Sequence, residues 1–412
     1  MSTSPTPVPP APRHLRYLDG LRGLAALGVL LNHYLTAFYP TMLTGEAATA
    51  HLPQWPGFEY ALAATPLNLL RSNGVGVCVF FVLSGFVLSE AYFRRPHPLT
   101  LQAQAARRYL RLMLPVAASA LLGFAGLRLD WFRNDEVAAV SGAAWFGRSW
   151  QTQPSVLQFV KDVVFDIPLA GEPAYNPVLW TLHLELMGSF LVFALLAFFG
   201  TARNRGLIYL AAATLLFLSP WNLYLVAFVL GVALNDWHRH GPAVPAAGRP
   251  WLVGLLLLGF VGLGSYPTTY FTGLAASPYR WLLLPRLGPD HSELLHHIAA
   301  AALLLGAVLL SVRLQRLLQA RWLVFLGSVS FGLYLLHFLV LGSFSARLFL
   351  GLHARLGYHL SFGLMALASV PVLLLAAYAL HRWVIEPSSA LSRRVYGRWF
   401  QPRPAPAPAA AE

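Results

Sequence analysis

The chain has 412 residues, of which 57% are hydrophobic and only 11% are charged, and its mean hydropathy is +0.57. This composition excludes an ordinary soluble domain and predicts an all-α, polytopic membrane protein. The net charge of +13 does not indicate nucleic-acid binding, because the basic residues form small clusters between apolar segments and not one stripe. Cys78 is the only cysteine, so neither a disulfide framework nor a thiolate metal site is expected, and no other metal site is apparent.

The two ends of the chain differ in composition from the rest. Residues 1–15 begin with an uncharged, proline-rich leader, and residues 391–412 are first basic and then rich in proline and alanine. Such segments are typical of disorder, and the first apolar run is followed by no credible signal-peptidase site. The sequence therefore predicts a membrane domain over 16–390, with a disordered leader before it and a tail after it, both cytoplasmic.

Ten apolar runs approach the ~20 residues that a helix needs to cross a bilayer, which predicts about ten transmembrane helices. The fifth and sixth runs are short, and they meet at a predicted tight turn over residues 219–222. The ten runs cover residues 18–40, 73–93, 107–128, 176–199, 205–219, 220–236, 250–267, 293–312, 322–350 and 359–385.

The positions of the basic residues indicate the orientation of these helices. If the amino terminus is inside, most of the 29 lysines and arginines fall on the cytoplasmic side, as the positive-inside rule requires. Merging the fifth and sixth runs into one span would place Arg313, Arg316, Arg321 and the basic tail outside. Ten helices with both termini cytoplasmic is the consistent solution.

The longest connection, residues 129–175, is expected on the outer side and holds six of the chain's 16 acidic residues. Within it, the segment Ser155–Phe165 repeats apolar residues at helical spacing. It predicts a short helix lying at the membrane interface, with one apolar face made of Val156, Phe159, Val160, Val163 and Val164.

The first apolar helix carries a polar stripe. Arg22 and His33 are eleven residues apart, which places them on one helix face about 16 Å apart along the axis, and Asp19 falls within about 40° of that face. Such a stripe is costly in lipid unless it faces protein or water. Arg22 is read either as a topogenic charge or as a ligand-binding group, and His33 either as a packing residue or as a functional one.

Two further polar residues reach the depth of His33. Ser84 lies about 16 Å down the second helix and Glu185 roughly 12 Å down the fourth, if both helices descend from the outer surface. A glutamate at that depth must be protonated or partnered, and His33 is a natural partner. The alternative is a neutral Glu185 that is hydrogen-bonded to backbone.

Two other clusters have open interpretations. Three arginines at the inner edge of the third helix serve either as positive-inside charge or as a fork for phosphate oxygens: Arg107, Arg108 and Arg111. In the ninth helix, a polar face serves either inter-helix hydrogen bonding or substrate contact: Ser330, Tyr334 and His337.

Six segments, taken together and in this order, resemble acyltransferase family 3, a family of integral membrane O-acyltransferases. They span residues 16–387 and read RYLDGLRGLAALGVLLNH, FFVLSGF, RRYLRLMLP, NPVLWTLHLE, SVSFGLYLLH and VIEP. The resemblance implies a ten-helix domain that takes an acyl group, often acetyl, from cytoplasmic acyl-coenzyme A. The acceptor it implies is a hydroxyl, commonly on a cell-surface or exported glycan, and the histidine matching His33 is implied to be essential. The family pattern often has serine or tyrosine where this chain has Thr181 and Phe331, and no appended hydrolase-like domain is present.

The sequence therefore predicts an O-acyltransferase of the bacterial inner membrane. His33 is expected to act as general base or transient acyl carrier, with Glu185 orienting it. Acyl-coenzyme A is the expected donor substrate and no cofactor is expected to be bound permanently. Six residues are expected to bind the donor, four through its phosphates and two by allowing close backbone approach: Arg22, Arg107, Arg108, Arg111, Ser84 and Gly85.

The acceptor is expected to be a carbohydrate or a lipid-linked glycan, with membrane lipid as a further contact and nucleic acid excluded. A small-molecule or glycolipid acceptor is an alternative, and a transporter or flippase is an alternative of another class. Four residues are assigned either to the acceptor side or to structural polar contacts: Asp19, Trp180, Tyr334 and His337.

Overall fold

The computed structural model describes residues 15–45, 56–219 and 222–400, and in these ranges it contains helices and no strands. The predicted all-α class is confirmed. A chain this apolar folds in lipid only if each segment satisfies its own backbone hydrogen bonds, which a helix does.

Twelve longer helices make up the described body of the protein. In chain order they are α1 (Arg16–Phe38), α2 (Asn73–Arg94), α3 (Pro98–Arg128), α4 (Trp180–Phe199), α5 (Arg205–Leu218), α6 (Leu225–His240), α7 (Arg249–Gly264), α8 (Gly288–Leu310), α9 (Arg321–Val340), α10 (Ala346–Leu356), α11 (Tyr358–Leu380) and α12 (Glu386–Trp399).

Shorter helical pieces link them. The α-helical ones are Thr41–Thr44, Pro56–Ala64, Asn134–Ser141, Ala144–Gly147, Val156–Lys161 and Val312–Leu318. The 3₁₀ turns are Pro66–Arg71, Pro177–Leu179, Thr272–Ala276 and Pro278–Leu282, and the π-helical segments are Asp162–Ala170, Leu341–Ser345 and His381–Ile385.

Each of the ten predicted segments coincides with one of these helices, but their number as membrane spans is not confirmed. Six continuous helical stretches of the described residues are long and apolar enough to cross a membrane: Asn73–Arg94, Pro98–Arg128, Pro177–Phe199, Gly288–Leu310, Arg321–Leu356 and Tyr358–Trp399. Helices α5 and α7 are apolar but shorter. The chain is an integral membrane protein with at least these candidate spans.

The fifth and sixth predicted segments form two helices and not one. Arg205 at the start of α5 pairs with Asp236 near the end of α6, with Nε 2.8 Å from Oδ2, so the two helices run antiparallel. Pro220 and Trp221 of the predicted turn lie outside the described residues.

Helix α1 packs along α9 and also against α2. Glycines allow the α1–α9 approach: a Cβ added at Gly23 would lie 2.7 Å from the Leu323 carbonyl oxygen, and one at Gly327 would lie 2.0 Å from that of Asp19. Helix α2 also packs on α6, α9 on α11, and α12 on α3. Two apolar clusters fill the body, one around α2, α6 and α8 and the other around α3, α9 and α11.

The predicted interfacial helix is present as Val156–Lys161, and the chain continues in a π-helical segment to Ala170. Val156, Val160 and Val164 on its predicted apolar face are exposed. An exposed apolar face next to membrane helices fits a helix that lies on the lipid surface.

Asp162, in the same connection, gives the fold a predictable pH dependence. Its side chain is fully buried, Oδ1 accepts a hydrogen bond from the Ala174 backbone N–H at 2.8 Å, and Oδ2 has no partner among the described residues. Burial raises the pKa of this carboxyl to about 6, against the opposing backbone hydrogen bond. Because the folded state holds the proton more tightly than the unfolded chain does, protonation of Asp162 stabilises the fold. This stabilisation is complete below pH ~4 and is lost as the pH rises through about 6.

Asp162→Asn is therefore expected to be more stable than the wild type at pH 7.5, by about 1 to 3 kcal/mol, and equally stable near pH 4. The measurement is thermal unfolding in detergent across this pH range. Asp135→Asn, which changes an exposed acid of the same connection, is the control and is expected to follow the wild type. If the unfolding temperatures of all three proteins change with pH in the same way, the raised pKa of Asp162 is refuted.

Helix α12 runs through the predicted domain boundary at 390–391, since it extends from Glu386 to Trp399. It packs against α3 and so belongs to the folded body. The predicted disorder of the leader and of the end of the tail falls mainly on residues 1–14 and 401–412, which lie outside the described residues.

Candidate active site

A cavity of about 210 Å³ opens among α1, α2, α3, α4 and α9. Six of the predicted site residues line it: Arg22, Ser84, Arg108, Arg111, Glu185 and Tyr334. The rest of the wall is largely apolar and includes Phe80, Phe81, Leu112 and Phe331. The cavity thus joins a basic region to an apolar interior.

Glu185 and Arg108 form an ion pair inside this wall. Glu185 Oε1 also accepts a hydrogen bond from Ser84 Oγ at 2.7 Å, and Arg108 Nε donates to Ser189 Oγ at 2.8 Å. The side chains of Arg108 and Glu185 are only 11% and 16% exposed. Either charge would be costly to bury alone, and each is neutralised by the other.

This ion pair changes two predictions. The predicted Glu185–His33 contact is not among the contacts of the described residues, in which Glu185 Oε1 is bonded to Arg108 and Ser84. Arg108 was assigned to donor phosphates, but its guanidinium is turned into the bundle toward Glu185. Depth along the helices was compatible with the first prediction; lateral position decided against it.

Arg22 and Arg111 are the cationic groups of the wall without an acidic partner among the described residues. Arg22 Nε is buried and makes no hydrogen bond there. Arg107 faces an adjoining pocket, where its Nε donates to the Ala103 carbonyl at 2.7 Å and its guanidinium lies 5.7 Å from the centre of the Tyr396 ring. A guanidinium with a buried and unused donor is a ready site for an anionic ligand.

His33 contacts His337, which lies 304 residues further along the chain. Nδ1 of His337 faces the carbonyl oxygens of Leu333 and Tyr334 at 3.2 and 2.8 Å, so this nitrogen carries the hydrogen. Its Nε2 lies 3.2 Å from Nδ1 of His33, which also faces the Val29 carbonyl at 2.9 Å.

The hydrogen-bond partners therefore fix the tautomers of both neutral rings. His337 Nε2 and the Val29 carbonyl both require a donor, so His33 carries its hydrogen on Nδ1. His33 Nε2 is left with a free lone pair and no hydrogen bond to any described residue. This nitrogen can accept a proton or act as a nucleophile.

Tyr334 connects the cavity to the two histidines. Its hydroxyl donates to the Val178 carbonyl and lies 2.8 Å from Thr181 Oγ1, and its ring centre is 5.7 Å from that of His337. Thr181, at a position where the family pattern often differs, thus contributes its hydroxyl to this contact. On the other side of the imidazole pair, Trp145 and Phe338 lie with ring centres 6.1 and 5.4 Å from that of His33.

Six predicted residues do not line the cavity: besides His33, His337 and Arg107, described above, these are Gly85, Trp180 and Asp19. A Cβ at Gly85 would lie 2.1 Å from the Phe228 carbonyl oxygen, so this glycine serves the α2–α6 contact and not the donor arm. Trp180 packs on Tyr224, with ring centres 5.5 Å apart. Asp19 lies on α1 beside the close contact with Gly327, outside the cavity wall.

Sequence reasoning missed two residues of the site. Ser189 is four residues after Glu185, so helical spacing alone could have placed it on the same face. Trp145 lies in the long connection, and no local pattern signals that it reaches His33. Within residues 15–45, 56–219 and 222–400, no group of three or more His, Cys, Asp or Glu side chains is placed to hold a metal ion.

Comparison with known proteins identifies the family of the chain. Residues 15–382 match the acyltransferase domain of acyltransferase family 3. The chain is 25% identical to acyltransferase clz18 of Cochliobolus lunatus over 465 aligned positions, covering 92% of this chain and 95% of that protein. It is 26% identical to acyltransferase R4 of a Phoma species, covering 95% and 97%, and 26% identical to O-acetyltransferase PaAT-1 of Phomopsis amygdali, covering 78% and 71%.

No solved structure matches the chain. The family match extends over most of the chain and includes every residue of the cavity wall except Ile385. The chain therefore belongs to acyltransferase family 3, and it is a membrane-embedded O-acyltransferase.

Proposed function

We propose that the protein transfers an acetyl group from acetyl-coenzyme A to a hydroxyl group of an acceptor and so forms an ester. One observation carries this proposal: the same cavity is lined by Arg22 and Arg111, which have no acidic partner among the described residues, and by Tyr334, which contacts the His337–His33 pair. A donor with an anionic head and a long, narrow arm that ends in a thioester matches this order of groups.

The donor is held by charge at one end and by apolar contact along its arm. Arg22, with its unused Nε donor, and Arg111 bind phosphate oxygens of the donor. The pantetheine arm lies against Phe80, Leu112 and Phe331, which places the thioester toward Tyr334. Glu185 acts here as a positioning residue, because it holds Arg108 and Ser84 on the wall.

His33 supplies the proton transfer. Its Nε2 accepts the proton of the acceptor hydroxyl while the hydroxyl oxygen attacks the thioester carbonyl carbon. The carbon–sulfur bond then breaks, and the departing thiolate takes the proton from the imidazolium, which leaves an ester and free coenzyme A. His337 is a positioning residue, because it keeps the hydrogen of neutral His33 on Nδ1.

The acceptor approaches His33 from the side of Trp145. This residue belongs to the connection 129–175, which we assign to the outer side of the membrane, with both termini cytoplasmic. The aromatic faces of Trp145 and Phe338 suit a sugar ring, and we propose a glycan hydroxyl as the acceptor, with a small-molecule alcohol as the second candidate. The predicted bacterial inner membrane gains no support from the relatives named above, which are fungal proteins.

The test uses detergent-purified protein with acetyl-coenzyme A that carries a radioactive acetyl group. We expect slow release of free coenzyme A in water and faster release when a polyhydroxylated acceptor is added, with the label recovered as an alkali-labile ester on that acceptor. Label that stays on the protein after acid quenching would assign His33 as acyl carrier and not general base. No release of coenzyme A with any acceptor would refute the donor.

A further inference from the structure

A second cavity, of about 280 Å³, lies between α3 and α12. Four arginines line it, three from α3 and one from α12: Arg107, Arg108, Arg111 and Arg393. Gln104, Ser389 and Ser392 add polar groups to its wall. Arg108 and Arg111 also line the first cavity, so the two cavities adjoin through these side chains.

The charges of this cavity are not balanced within the described residues. Arg108 is neutralised by Glu185, but no described acid pairs with Arg107, Arg111 or Arg393. The acid of α12, Glu386, is taken up by Arg382, with Nη1 2.5 Å from Oε2. Arg107 and Arg393 lie close enough to repel Arg111 electrostatically. An anion bound among the three would relieve this repulsion.

The placement of α12 is specific. Ser388 and Ser392 are buried, and the Tyr396 ring lies under the guanidinium of Arg107. Arg393 and Arg394 are both exposed, but only Arg393 lines the cavities between α3 and α12. The helix adds a cation that neither the inner edge of α3 nor the polar stripe of α1 supplies.

We propose that α12 completes the donor site, with Arg393, Arg107 and Arg111 binding the 3′-phosphate at the nucleotide end of acyl-coenzyme A. The pantetheine arm then passes Arg108 and Arg111 into the first cavity. This inference rests on the proposed function, because it takes the donor to be acyl-coenzyme A. The phosphate of an anionic phospholipid has the same chemistry, and the experiment separates the two sources.

The experiment measures the Kd of coenzyme A and of dephospho-coenzyme A, which lacks the 3′-phosphate, by titration calorimetry on the full chain in neutral detergent. Wild type is expected to bind coenzyme A about ten-fold or more tightly than dephospho-coenzyme A. Arg393→Gln is expected to weaken coenzyme A by about that factor and to leave dephospho-coenzyme A nearly unchanged. Arg394→Gln, the matched control on the next residue, is expected to behave as wild type.

Three results would overturn the inference. One is a wild type that does not discriminate between the two ligands, and another is an Arg393→Gln protein that retains the discrimination. The third is an Arg393→Gln defect that appears only as weaker binding to phosphatidylglycerol nanodiscs, which would assign the cavity to lipid. Binding of neither ligand to wild type would refute the proposed donor itself, whereas discrimination retained in Arg393→Gln refutes only the role of α12.

Discussion

Replacement of His33 with alanine is expected to abolish acyl transfer, by about 10³-fold or more, while the protein remains folded and still binds donor. The physical reason is that His33 Nε2 is the free basic nitrogen of the imidazole pair, and alanine removes it. His33 is part-buried and does not line the cavity wall that holds Arg22 and Arg111, so donor affinity should change little. The measurement is kcat and donor KM with labelled acetyl-coenzyme A, together with a thermal unfolding curve.

His337→Phe provides the matched comparison, because it keeps a ring but removes the acceptor for His33 Nδ1–H. We expect kcat to fall by about 10- to 100-fold with the donor KM unchanged. The loss is not complete because the Val29 carbonyl still accepts a hydrogen bond from His33 Nδ1–H and so favours the same tautomer. A residue of merely structural importance would lower thermal stability and affect kcat and KM together. Substantial transfer by His33→Ala would refute the mechanism.

Replacement of Glu185 with alanine is expected to lower the free energy of unfolding by about 3 to 5 kcal/mol, because it leaves the Arg108 charge buried without a carboxylate. The double variant Arg108→Met, Glu185→Met removes both charges and is expected to recover most of this loss. Donor KM should rise in Glu185→Gln more than kcat falls, because the variant loosens Arg108 and Ser84 on the cavity wall. Unfolding in detergent and steady-state kinetics measure the two effects.

Arg239→Gln is the control for this pair. Arg239 pairs with Glu90 near the end of α2, and Glu90 keeps a second partner in Arg94, with Nε 2.9 Å from Oε1. Loss of the Arg239 side chain is expected to lower the free energy of unfolding by about 1 kcal/mol or less. If the stability losses of Arg108→Met and Glu185→Met, each measured alone, add up to that of the double variant, the pair is not coupled. A fall in kcat alone in Glu185→Gln would restore the original prediction that this carboxylate serves His33.

The helices could be predicted because their signal is local. Apolar runs and their ends are properties of neighbouring residues, and all ten predicted segments coincide with helices of the structure. The antiparallel α5–α6 pair was predicted from short runs and charge placement, and the Arg205–Asp236 contact agrees with it. The number of membrane spans could not be settled in the same way, because α1 carries Arg22 and His33 and is less apolar than a typical span.

The sequence predicted which residues belong to the site better than it predicted which of them contact each other. Periodicity places Arg107 and Arg111 on one face and Arg108 about 100° away, but it does not say which face meets α4. His33 was assigned to Glu185 on depth alone, whereas the fold brings His337 to it from a residue 304 positions away. Pairing depends on the lateral order of helices, and a single sequence contains no direct signal for that order.

The close approach of α1 and α9 has a consequence for how the enzyme works. Gly23 and Gly327 let backbone pack against backbone, and a displacement of one helical turn, about 5.4 Å, would carry each glycine away from the carbonyl that it accommodates. His33 and His337 lie on these two helices, so the packing resists a sliding motion that would separate them. In the proposed mechanism, substrate entry and product exit therefore depend on parts outside this pair, such as rotation of Tyr334 or displacement of α12. The two imidazoles then form the fixed part of the proposed site, around which the other elements move.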